Sequence, residues 1–161
     1  MILVLMGVSG SGKTTIGARL AEELGWRFID ADDFHSPENI RRMAAGIPLT
    51  DRDRQPWLDR LRDEIARAIA AGENMTLACS ALKRASRQRL IVDPQVVRFV
   101  YLRGSMELIR QRLRNRSGHF MKDNMLASQF AALEEPVDAL IVDIDERPGR
   151  IVEQIRAALR L

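Results

Sequence analysis

A chain of 161 residues with 46% hydrophobic and 29% charged content is about one domain long and neither disordered nor fibrous. No apolar run approaches the ~20 residues that span a bilayer, and the single cysteine, Cys79, excludes an intrachain disulfide and a multi-thiolate metal site. The net charge is +3, but the arginines are interspersed with acids, as in Arg60-Leu61-Arg62-Asp63-Glu64, which reads as solvated helix faces and argues against nucleic acid as a partner. Met1 leads straight into Ile2-Leu3-Val4-Leu5-Met6 with no basic leader, so a cytoplasmic address is expected, with no membrane partner.

Five short apolar runs, residues 2–6, 27–30, 75–79, 96–102 and 139–144, read as strands. Several lack alternation, as strands covered on both faces of a parallel sheet do. Between them Ile16, Leu20 and Leu24 recur at helical spacing and stop at Gly25. Trp57, Leu61, Ile65 and Ile69 repeat the pattern with Pro56 near the start and Gly72 at the end. Met106, Ile109 and Leu113 follow Ser105, a plausible N-cap, and Ile151, Ile155 and Leu159 follow Pro148. Strand and helix alternate throughout, which predicts a single α/β domain over residues 1–161 with its ligands at the carboxyl ends of the strands.

The most specific motif is Gly7-Val8-Ser9-Gly10-Ser11-Gly12-Lys13-Thr14, a full match to G-x-x-x-x-G-K-[ST] between a buried strand and an amphipathic helix. Its glycines let amide N–H groups turn toward phosphate oxygens, and the start of the helix, through Thr15, adds its positive dipole end. Lys13 is placed to reach the β- and γ-phosphates, and the Thr14 hydroxyl to ligate Mg²⁺. The loop predicts a nucleoside triphosphate.

The acceptor is a separate question. No N-K-x-D segment marks a GTPase, and the third strand ends Ala78-Cys79-Ser80 without the adjacent acids of motor ATPases. Carboxylates come instead from Asp30-Ala31-Asp32-Asp33, which would repel one another without a cation or donor hydroxyls. Asp30 is expected to hold the water shell of Mg²⁺ and Asp32 to take up the acceptor hydroxyl and its proton; the plainer alternative is an acidic loop capping the next helix. His35 is a candidate hydrogen-bond partner of substrate, or a loop histidine without a role. Arg54 is suited to grip a carboxylate in bidentate fashion, or else pairs Asp51 or Asp53 on the surface; Trp57 is expected in the core. Lys83 faces the acceptor or merely begins a helix. The run Arg110-Gln111-Arg112-Leu113-Arg114-Asn115-Arg116-Ser117-Gly118-His119 suits a lid that brings arginines over the phosphates, or a basic solvent-exposed helix.

These segments together resemble the small gluconokinases of the P-loop type, relatives of shikimate and nucleoside-monophosphate kinases. The resemblance rests on GVSGSGKT at 7–14, DADDFHSPENIRRM at 30–43, GIPLTDRDRQPWL at 46–58, CSALK at 79–83, RSGHFMKDNMLASQF at 116–130 and LEEP at 133–136, in that order across the chain. It implies transfer of the ATP γ-phosphate to the terminal hydroxyl of D-gluconate, a parallel sheet of strand order 2-3-1-4-5, a lid over about residues 112–128, and a homodimer. By position it implies that Asp32, His35, Arg54 and Lys83 face gluconate, and that Arg112, Arg116 and His119 belong to the lid. Arg112 would touch the nucleotide and Arg116 would join Lys13 in neutralising charge during transfer. Gln129 falls in a matching segment without a role. Asp33 stands where the family commonly has an apolar residue and Arg52 where it has an acid, a charge exchange that would preserve a local pair or shift acceptor preference. A kinase for another small hydroxy acid such as shikimate, and a nucleotide-binding module without catalysis, are the competing readings.

Overall fold

The structure, a computed structural model, describes residues 1–114 and 123–161. Strand β1 (Ile2–Met6) consists of five apolar side chains, all fully buried, which requires cover on both faces of the sheet. It lies at the centre of a five-stranded sheet with β2 (Arg27–Asp30), β3 (Met75–Ala78), β4 (Val97–Arg103) and β5 (Leu140–Asp143), in the order β2-β3-β1-β4-β5. Every pairing is parallel, with Ile2 opposite Met75 on one side and Val97 on the other. This is the implied strand order, and the strands differ from the expected apolar runs only at their ends.

Helices α1 (Lys13–Leu24), α2 (Pro37–Ala44), α3 (Asp51–Ala70), α4 (Arg84–Leu90), α5 (Met106–Arg114), α6 (Asp123–Ala132) and α7 (Pro148–Leu159) complete the described chain, together with a 3-10 turn over Ala31–Phe34. The pleat of β1 divides the core between two layers. Ile2, Val4 and Met6 pack with Trp57, Leu61, Ile65 and Leu90 on the α3–α4 side, whereas Leu3 and Leu5 pack with Ile16, Leu20, Ile109, Ile151 and Ile155 on the other. Full burial of each such aliphatic side chain contributes about 1.5–3 kcal/mol. The loops after β1, β2 and β3 therefore emerge at one edge of the sheet.

Local chemistry explains where the helices begin. Ser105 accepts the Leu108 amide at 3.2 Å, the expected cap of α5. Helix α3 begins close to Arg54 and Pro56, as expected. Thr50 and Asp53 form a reciprocal capping box, so the helix opens at Asp51 and carries Pro56 inside it. The capping box outweighs the bond that Pro56 cannot donate, and it brings Asp51 and Arg54 into the first helical turn. Among the described residues no helix is long and apolar enough to cross a membrane. Arg116, His119 and the middle of the expected lid lie outside the described residues.

Candidate active site

The phosphate loop runs from β1 into α1. Gly12, at φ 96°, is the left-handed residue that turns the chain into the helix, and Gly10, at φ 80°, packs so closely that a Cβ would meet Leu113 at 3.0 Å. The first turn of α1 presents amide N–H groups without intrahelical acceptors, the basis of an anion site. Three other loop amides already have protein partners: Gly7 donates to the Ser80 carbonyl at 3.2 Å, Ser11 to Val8 at 3.2 Å, and Ser9 to Oε1 of Gln129 at 2.6 Å. Lys13 Nζ rests on the Val8 carbonyl at 3.0 Å, folded back along the loop.

Beside the helix start, the Thr14 hydroxyl donates to Oδ2 of Asp30 at 2.7 Å. The other oxygen of Asp30 accepts the Asp32 amide at 3.1 Å and caps the 3-10 turn. Asp30 thus caps the 3-10 turn and also meets Thr14, whereas the next helix, α2, is capped by Ser36 and not by Asp32 or Asp33. A hydroxyl and a carboxylate side by side are hard oxygen donors of the kind Mg²⁺ takes when phosphates and water complete its shell. Among the described residues no cluster of three or more His, Cys, Asp or Glu is arranged to hold a metal by itself.

Asp32 stands next to this pair. Withdrawal of water and the neighbouring Asp30 carboxylate raise its pKa above the ordinary aspartate value, against the opposing pull of Lys13 and His35. His35 is buried, and its ring stacks on Trp57 with centroids 4.5 Å apart and planes within 10°. Trp57 is itself in the core and donates Nε1–H to the Ala31 carbonyl at 2.6 Å, so it anchors the turn that carries Asp32. Burial lowers the His35 pKa, with Asp32 pulling the other way and Arg54 adding to the depression, so the imidazole is neutral at pH 7. Its Nδ1 is buried with no partner among the described residues.

Arg54 and Lys83 converge although 29 positions separate them. Arg54 contacts Asp51 Oδ1 at 3.3 Å, and Lys83 Nζ contacts both Asp51 oxygens at 2.7 and 2.8 Å. The surface pairing of Arg54 with Asp51 is thus present, and it places the guanidinium next to the Lys83 ammonium. Asp51 was foreseen only as a surface partner of Arg54; its bridging role depends on a contact 32 residues away that no local pattern encodes. Asp33 and Arg52 are both exposed, and among the described residues no ion pair joins them.

On the other flank of the loop, Arg112 turns away from the acceptor side and donates to the Ile144 carbonyl. There it lines a cavity of about 370 Å³ with Gly10, Gly12, Thr15, Glu146 and Pro148. Glu146 and Pro148, from the segment after β5, had no signal beyond the helix start that Pro148 marks. Cys79, at the end of β3, is fully enclosed and its thiol is pushed up to about 12, which leaves it chemically inert.

A family model described as an AAA domain matches residues 2–140. The thermosensitive gluconokinase of Escherichia coli (strain K12) is 44% identical, over 97% of this chain and 86% of its own length. A sugar kinase crystal structure from Janibacter sp. HTCC2649 superposes with a TM-score of 0.91 at 45% identity, covering 99% of this chain and 94% of that one. A gluconokinase structure from Sinorhizobium meliloti 1021 gives 0.89 at 42% identity, covering 98% and 90%. With a phosphate loop, an Asp30–Thr14 pair and two converging cations at one sheet edge, and with relatives matched over nearly its whole length, the chain belongs to the gluconokinase family.

Proposed function

We propose that this protein transfers the γ-phosphate of ATP to the terminal hydroxyl of D-gluconate, giving 6-phospho-D-gluconate and ADP in the cytoplasm. The observation that carries the reading is the junction of the phosphate loop with the acidic end of β2: Lys13 and Thr14 begin α1, the Thr14 hydroxyl lies on Asp30 at 2.7 Å, and the Asp30 carboxylate holds the turn that carries Asp32. A proton acceptor beside a phosphate-binding lysine is what phosphoryl transfer to an alcohol requires.

In this reading the triphosphate lies along the Gly10–Gly12 turn and the start of α1, and the nucleoside occupies the cavity beside Arg112, Glu146 and Pro148. Mg²⁺, held through Thr14 and Asp30, would neutralise charge on the phosphate oxygens. Arg54 and Lys83 bind the gluconate carboxylate and so set the far hydroxyl toward Asp32. The hydroxyl oxygen forms a bond to the γ-phosphorus as the bond to the β,γ-bridging oxygen breaks; the hydroxyl proton passes to Asp32 and ADP departs. Lys13 swings from the Val8 carbonyl to balance the charge that builds on the phosphates. His35, neutral and stacked on Trp57, offers a hydrogen-bonding edge to the polyol without adding charge.

The test is an ADP-release assay against a panel of sugar acids, shikimate and nucleoside monophosphates. Turnover is expected with D-gluconate well above every other acceptor. Absence of turnover with any aldonic acid, or a preference for shikimate, overturns the assignment.

A further inference from the structure

Gln129 and Glu134 sit outside the constellation described above, yet they touch both halves of it. Gln129, on α6, places its amide oxygen on the Ser9 N–H of the phosphate loop at 2.6 Å, a contact between residues 120 positions apart. The chain leaves α6 through Leu133, which packs against both core layers. Glu134 then engages the β3–α4 loop twice. Its amide donates to the Leu82 carbonyl at 2.9 Å, and its carboxylate accepts the Arg84 amide at 2.6 Å. Leu82 and Arg84 are the two residues that flank Lys83. Glu135 fastens the same limb to β4, where its carboxylate accepts the Tyr101 hydroxyl at 3.3 Å.

We propose that Gln129 and Glu134 are positioning residues for phosphoryl transfer: α6 and the turn after it form a strut that fixes the phosphate loop at Ser9 relative to the Lys83 loop at Leu82 and Arg84. At the base of the two loops the Gly7 amide already meets the Ser80 carbonyl at 3.2 Å. The strut adds a second tie farther out, where donor phosphate and acceptor must be held in line. In-line transfer is steep in this separation, since a misplacement of about 1 Å can cost 10²-fold in rate. The chemistry of the two side chains fits the two ends. At Ser9, next to a triphosphate, a neutral amide oxygen accepts the N–H without adding negative charge, which a carboxylate would not achieve. At Arg84, beside the cations that meet an anionic acceptor, a carboxylate is tolerated and makes the stronger, charge-assisted bond.

The acceptor end of the strut rests on the assignment of Lys83 to gluconate; the Ser9 end rests only on nucleotide binding. The experiment therefore compares Gln129→Leu, Gln129→Glu, Glu134→Ala and Glu134→Gln with the parent enzyme, by steady-state kinetics, calorimetry with a non-hydrolysable ATP analogue, and thermal melting. Gln129→Leu is expected to lower kcat roughly tenfold or more at a temperature where it remains folded. Gln129→Glu keeps the acceptor but is expected to bind the analogue several-fold more weakly, the loss shrinking as salt is raised. Glu134→Ala should raise the KM for gluconate, and Glu134→Gln, whose amide oxygen still accepts from Arg84, should restore it. Because one strut joins both ends, the double variant Gln129→Leu/Glu134→Ala should lose less than the product of the single losses.

A packing role alone would move the melting temperature and leave kcat, KM and the salt dependence unchanged. Unaltered kcat in Gln129→Leu overturns the proposal; so does unaltered analogue affinity in Gln129→Glu, or strictly multiplicative effects in the double variant. If the parent enzyme fails to phosphorylate gluconate, it is the acceptor assignment that falls, and the comparison of Gln129→Glu with parent by calorimetry still decides the Ser9 end.

Discussion

The Lys83 ammonium lies on both carboxylate oxygens of Asp51, at 2.7 and 2.8 Å, and Arg54 reaches the same carboxylate at 3.3 Å. An exposed carboxylate of this kind contributes little to stability, but it holds two cations of different geometry side by side, with a net charge of about +1 between the three groups. That suits a monoanionic acceptor. Arg54→Ala and Lys83→Met are each expected to raise the KM for gluconate roughly tenfold or more while the KM for ATP stays near its original value. Because both cations share Asp51, the double variant should lose less than the product of the two single losses. A gluconate titration at saturating ATP measures this, and an unaltered KM in Arg54→Ala rejects its carboxylate role.

The contact of Thr14 with Asp30 leads to a second expectation. If their oxygens hold the cation that accompanies ATP, removing either shifts the demand for metal rather than the demand for acceptor. Asp30→Asn and Thr14→Val should each raise the Mg²⁺ concentration needed for half-maximal activity, roughly tenfold, at fixed ATP. Thr14→Val separates the metal role from the capping role, because it leaves the bond between Asp30 and the Asp32 amide in place. Mg²⁺ titrations superimposable on that of the parent would remove the pair from metal binding.

Asp32 couples activity to pH in one direction and stability in the other. Its folded-state pKa is raised, chiefly by withdrawal of water and then by Asp30, so its acid form is favoured in the folded protein. The proton acceptor must be ionised, and the acid limb of kcat is expected above the ordinary aspartate value of 3.8. Asp32→Asn should lower kcat about 10²–10⁴-fold and remove that limb. For stability, the contribution of Asp32 is complete below the unfolded-state pKa and is lost as pH rises through the folded-state value. Asp32 is exposed, so solvent screens most of this effect: Asp32→Asn is expected to melt only slightly above the parent at neutral pH, with the gain vanishing below about pH 3.8. Melting curves across this range check the sign.

Much of this arrangement is written locally in the chain. The buried β1 run, the phosphate loop and the stop at Gly25 each depend on residues within a few positions of one another, and each is found where the pattern puts it. The strand order is not written this way. It followed from the resemblance, because nothing in a parallel run says which neighbour it pairs. Helix α3 shows two local signals at one end: Pro56 lies near the start, and the Thr50–Asp53 capping box, whose Thr50 is six positions earlier, sets the first residue. The contacts hardest to foresee, Asp51 with Lys83 and Gln129 with Ser9, span 32 and 120 positions. Such pairs are chosen by the fold as a whole, and polar residues at exposed or half-buried positions carry no periodic signature.

Gly104 offers a last test, of how tightly the nucleotide side of the site is built. It separates the end of β4 from Ser105, the cap of α5, and a Cβ placed on it would lie 2.6 Å from Cδ1 and 2.8 Å from Cγ1 of Ile144. Ile144 is fully buried among the α5 and α7 side chains, and its amide is held by the Arg103 carbonyl at 2.9 Å, so it has little room to retreat. Gly104→Ala is therefore an overpacking change, expected to cost about 1–3 kcal/mol. The Ile144 carbonyl also receives Arg112, which lines the cavity assigned to the nucleoside, so any shift of Ile144 is passed to that wall. Gly104→Ala should accordingly raise the KM for ATP more than the KM for gluconate. Shortening the obstruction should relieve it: Ile144→Val alone costs about 0.5–1.5 kcal/mol, but in the Gly104→Ala background it should recover part of the lost stability. Chemical denaturation of the two single variants and the double variant measures the cycle. Additive losses would mean that the β4–α5 junction yields to the extra methyl group instead of pressing on Ile144.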